Sequence, residues 1–138
     1  MRHTCALAVM ISYSLAGAQS EAVLDETVKP VIFESLAYPL AARLTHTQGV
    51  VVIQVELDDA GRVTTSTALS GAKVLIAECL SNAKKWRFQS NVRHIALIVY
   101  LFKIEGLCSL PCSSQFSFHP PNLVIVRTGD PVVDHAAQ

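Results

Sequence analysis

From Gly49 to Asp58 the chain alternates, with Val51, Ile53, Val55 and Leu57 on one side and Val52, Gln54 and Glu56 on the other. That period of two is the pattern of a half-buried strand. Asp58-Asp59-Ala60-Gly61 follows as a turn, in which Gly61 can supply the positive φ of a tight hairpin. Val63, Thr65, Thr67 and Leu69 alternate again and predict an antiparallel return strand, broken at Ser70-Gly71. The period then changes. Leu75, Ile76, Cys79, Leu80, Ala83 and Trp86 recur at intervals of three and four, the stripe of an amphipathic helix. Glu78, Ser81, Lys84 and Lys85 take its other side, with the lysines at the C-terminal end, where the helix dipole favours positive charge. His94 to Glu105 is apolar on both faces and predicts a strand with something covering each of them. Upstream, Tyr38-Pro39 opens a short helix through Leu40, Arg43 and Leu44 that ends at Gln48-Gly49, proline suiting a first helical position. Far downstream, the apolar run Leu123 to Val126 reads as a further strand, ended by Asp130-Pro131.

These elements fit one domain. The chain has 138 residues, 51 % of them apolar and 16 % charged, enough for a core and too apolar for a disordered chain. Its formal net charge of zero argues against a nucleic-acid binder, which advertises a basic excess. The first residues read as an export signal: Arg2 and His3, a mostly apolar stretch from Ala6 to Leu15, then the small-x-small pattern Ala16-Gly17-Ala18 with cleavage expected after Ala18. A retained short anchor is the alternative and would be the only reason to expect membrane contact. Residues 19–35 form an acidic lead-in with no clear period, 36–105 the domain, and 106–138 a C-terminal extension.

Export places Cys79, Cys108 and Cys112 in an oxidising compartment. The Cys108-Ser-Leu-Pro-Cys112 spacing has one residue too many for a redox CxxC motif and no helix signal after it, so a structural disulfide is expected. Its short loop would add about 1–2 kcal/mol by chain entropy. Cys79, on the apolar stripe of the helix, is expected to be a buried free thiol. Nothing predicts an enzyme. His3, His46, His94, His119 and His135 are scattered without metal-ligand spacing, and no metal or cofactor is expected. No nucleophile elbow or phosphate-cradling glycine loop is present. Asp58-Asp59 is explained by the turn, and Lys84, Lys85, Arg87 and Arg93 by a solvated face.

Taken in order, Tyr38-Pro39, Ala42-Arg43, Gln48-Gly49-Val50-Val51-Val52, Asp59-Ala60-Gly61-Arg62-Val63, Leu69-Ser70-Gly71 and Lys84-Lys85-Trp86-Arg87-Phe88 resemble the TonB C-terminal domain family, over about residues 36 to 105. The resemblance implies an α+β fold, with two helices on one face of a small antiparallel sheet of three core strands, extended if the C-terminal run pairs. Trp86 and Phe88 would anchor the second helix on the sheet. It also implies a periplasmic module that binds the TonB box of an outer-membrane transporter as an added strand beside the strand that follows the second helix. The expected partner-binding residues are then His94, Ile95, Ala96, Leu97, Ile98, Val99 and Tyr100, with Tyr38 and Pro39. Beside this stands a second class: a structural or self-associating envelope protein, possible as a homodimer, that keeps the fold without transport coupling. The extension separates the two, because folding back onto the third strand would fill the edge a partner would use.

Overall fold

The computed structural model describes residues 28–132, in which alternating apolar positions and turn residues build an α+β fold. In chain order the elements are β1 (Pro30–Ile32), α1 (Leu40–Leu44), β2 (Gly49–Leu57), β3 (Val63–Ser70), α2 (Lys73–Ala83), β4 (Arg87–Phe88), β5 (Ile95–Cys108), β6 (Ser114–His119) and β7 (Leu123–Pro131). The expected export signal, its cleavage site after Ala18 and most of the lead-in lie outside the described residues.

Five strands form one sheet in the order β3-β2-β5-β7-β6, and β1 pairs with β4 in a second, two-stranded sheet. The hairpin at Asp58 to Arg62 closes as its residues dictate. The Asp58 carboxylate accepts from the amides of Ala60 and Arg62, both at 2.9 Å, and Gly61 sits at φ +79°. The three expected strands pair antiparallel, but the sheet as a whole is mixed. β7 runs parallel to β5 from Val99↔Leu123 to Cys108↔Pro131. Parallel neighbours need a long connection, and residues 109–122 supply it by placing β6 outside β7 as the antiparallel edge strand.

The core lies between the sheet and the helices. Val51, Ile53, Val55 and Leu57 of β2 face it, with Ala96, Ile98, Tyr100 and Phe102 of β5 and Val124 and Val126 of β7. Helix α2 contributes Leu75, Cys79 and Ala83, and Trp86 and Phe88 are buried just beyond its end, the core positions expected of them. The stripe held one surprise. Asn82, on the buried side of α2, accepts from the Trp86 indole N–H at 2.9 Å and the Tyr100 hydroxyl at 2.8 Å. Its own amide donates to the carbonyls of Glu34 and Ser35, tying the lead-in to the core.

The structure phases β3 and shows which face of β5 the helices cover. On β3 the outward residues are Thr65, Thr67 and Leu69, while Ser66 and Ala68 lie opposite Val55 and Ile53 on the helix side. An irregularity between Glu56 and Leu57 shifts the phase of the pairing, and a one-residue slip exchanges the faces. The apolar second face of β5 is also not covered by any helix among the described residues, since both helices pack on the other side.

Candidate functional site

The expected partner-binding stretch falls at the centre of the sheet. Ala96, Ile98 and Tyr100 are buried against the helices, so their side chains cannot meet a partner. Tyr100 directs its hydroxyl at Asn82, and burial raises its pKa above the usual phenol range. Ile95, Leu97 and Val99 turn to the helix-free face. His94 precedes the strand in the left-handed region at φ +53°, its carbonyl accepting from Leu57 and its exposed ring 3.8 Å from Asp59.

Backbone groups matter more than side chains for strand addition. On one side β5 is paired with β2 along its first half, from Ile95↔Glu56 to Phe102↔Gly49. On the other side Val99 donates to the carbonyl of Asn122 at 2.9 Å, and the β7 ladder continues from there. The fully buried Asn122 side chain donates to the Leu97 carbonyl at 3.0 Å. At Val99 and Tyr100 the edge is therefore already occupied by the chain itself. Only the stretch around Ile95 lies beyond the start of β7. The long β5–β7 pairing could not be read from the apolar run at Leu123, because a strand pattern does not say which neighbour it takes.

Tyr38 and Pro39 are placed by the same extension. Tyr38 is buried, edge-on to Phe102 with ring centroids 5.3 Å apart, and its hydroxyl donates to the Thr47 carbonyl. Its amide donates to Ser114 Oγ at 2.9 Å, and Arg43 reaches the Cys112 carbonyl at 2.9 Å. Helix α1 and the residues before it thus clasp the start of β6. Phe33 adds to this clasp by packing on Phe118 at 4.5 Å and Trp86 at 5.6 Å. Cys108 and Cys112 form the expected disulfide, which closes the turn out of β5. Cys79 is a buried free thiol whose pKa burial pushes up to about 12, helped by Glu78, so it is no nucleophile at neutral pH.

A cleft of about 330 Å³ at the end of β5 is lined by His46, Gln48, Ile104, Gly106, Leu107 and Asp130. His46 and Asp130 pair there at 3.0 Å, both well exposed to solvent. Among the described residues no group of three or more His, Cys, Asp or Glu side chains could hold a metal ion, and no helix is long and apolar enough to cross a membrane.

Comparison with known proteins bears on the same segment. The family model for the Gram-negative bacterial TonB protein C-terminal matches residues 34–104, half of the chain. The solution NMR structure of the Pseudomonas aeruginosa TonB CTD is similar at 25 % sequence identity, covering 59 % of this chain and 90 % of that one with a TM-score of 0.46. No curated protein matches.

Proposed function

Because the chain belongs to the Gram-negative TonB C-terminal family, a family of protein-interaction domains, we propose that it is an envelope interaction module that fills its own strand-addition edge and associates without coupling to transport. The periplasm is the compartment this reading requires. The observation that carries it is the parallel ladder of β7 on β5, from Val99 to Cys108.

Magnitudes favour a closed edge over an incoming segment. A transporter segment laid along Val99 to Ile104 would have to lift β7 away, exposing Val124 and Val126, both fully buried. Re-exposing two valines costs about 3–6 kcal/mol, before any loss of ladder hydrogen bonds at about 1 kcal/mol each. At 1.4 kcal/mol per decade, this weakens binding by at least about a hundredfold relative to an open edge.

A second reading rests on where the ladder begins. β7 starts opposite Val99, and among the described residues no strand pairs with Ile95 on that side, so a short TonB-box-like segment could add along His94 to Leu97. Titration calorimetry of the full chain with peptides carrying TonB boxes separates the two. Absence of binding up to about 1 mM, an affinity of only about 4 kcal/mol, supports the closed edge. Micromolar binding would favour the transporter-binding reading and overturn ours.

A further inference from the structure

The helix-free face of the sheet is apolar at its centre. Val50 lies opposite Leu101, Val52 opposite Val99, and Leu101 opposite Ile125, with Leu97 one row along. Val52 and Val99 are 8 % and 6 % exposed, yet neither belongs to the core cluster beneath the helices. Val50, on the same face, is 43 % exposed. A contiguous apolar patch of this kind marks an interaction surface.

We infer that a second copy of this chain covers this face, the two sheets packing face to face about a twofold axis. The inference rests on the self-associating reading above and gives it a surface. Two features select a second copy. The first is charge. Glu56 stands at the Ile95 end of the face, and Lys103 and Arg127 stand as register partners at the opposite end. Those two cations share a single acid, Glu105, at 3.9 and 3.5 Å. A twofold axis across the strands, through the row of Val52, Val99 and Leu123, carries the acidic end of each copy over the basic end of the other. A patch that is its own complement is what a twofold interface requires.

The second feature is area. With strands ~4.8 Å apart and residues rising ~3.4 Å each, and three to four strands across most rows, the face from the Glu56 row to the Lys103 row spans roughly 500 Å² per copy. Two copies would bury roughly 1,000 Å² in total, the size of a weak, transient interface, so the dimer should be reversible. Sheets so packed lie ~10 Å apart, with Val52, Val99 and Leu101 interdigitating.

Analytical ultracentrifugation of the full chain from about 1 to 200 µM tests this, a range that brackets the affinity of a small reversible interface. The expected result is a monomer–dimer equilibrium that Leu101→Glu abolishes. Should that variant fail to fold, Glu56→Lys and Lys103→Glu take its place. Each alone should weaken the dimer about tenfold by setting like charges together, and the double variant should restore it. A monomer at every concentration overturns the inference, as does a dimer indifferent to these substitutions. The closed β5 edge is tested independently, by the absence of peptide binding, so a monomer with a closed edge would sink the dimer alone.

Discussion

The Val99 amide donates to the carbonyl of Asn122 at 2.9 Å, and the Asn122 side chain donates back across the same gap to the Leu97 carbonyl at 3.0 Å. These two bonds set the point at which the C-terminal strand joins the sheet. They also bind the family domain, which ends near residue 104, to an extension outside it. Exposed strand edges invite pairing, and here the chain closes one with its own residues. The outer edges of the sheet become β3 and β6 instead.

The hairpin turn should tolerate no side chain at Gly61. A Cβ there would lie 1.8 Å from the Phe88 carbonyl oxygen, whereas at Gly106, also at positive φ, it would meet nothing within 4 Å. Gly61→Ala should cost at least about 3 kcal/mol, combining collision and backbone strain. Gly106→Ala should cost only about 1–2 kcal/mol, the left-handed penalty alone. Urea denaturation of the two variants gives the comparison, and equal losses would contradict the close approach of Gly61 to Phe88.

Asn82 should matter more than its polarity suggests. It satisfies the buried indole of Trp86 and the buried hydroxyl of Tyr100 with one oxygen. Asn82→Leu should therefore destabilise by about 2–4 kcal/mol by stranding two donors, while Tyr100→Phe, which removes one donor, should cost about 1 kcal/mol. Fluorescence of the single tryptophan follows both unfolding transitions directly.

Alkaline pH should unfold the protein through its buried acids. Burial pushes the Cys79 thiol up to about 12 and raises Tyr100 in the same direction. The folded state then holds protons that the unfolded state releases, so stability is full below about pH 8.5 and falls as pH rises toward 12. Cys79→Ala should flatten the part of this fall that begins near the thiol's ordinary range, and Tyr100→Phe the part above about pH 10. A Cys79 that reacts with a thiol reagent in the native state at pH 8 would contradict the burial.

Local patterns carried much of this fold. Alternation placed β2, the three-and-four spacing placed α2 and the buried Cys79, and the Cys108/Cys112 spacing gave the disulfide. The ordered motifs led to the family. What was not legible depends on pairing between distant residues. The phase of β3 follows from an irregularity beside Leu57, and Thr65 looks the same in sequence whichever face it takes. β1 and β4 are too short to show a period, and each exists because the other pairs with it. The role of Asn82 was not legible, because its partners, Trp86 and Tyr100, meet only in three dimensions. The candidate site followed the same rule. The strand His94 to Glu105 was evident from its apolar run, and its apolar second face too, but not that β7 would take one edge of it while both helices packed on the other face.

Amide hydrogen exchange on the full chain without any partner addresses the central claim most directly. On β5 the amides of Val99, Leu101 and Lys103 point toward β7. If the ladder closes this edge, they should exchange as slowly as those of Ile98 and Tyr100, which point toward β2. If Val99, Leu101 and Lys103 exchange quickly while Ile98 and Tyr100 stay protected, β7 does not hold the edge, and the transporter-binding reading displaces the one proposed here.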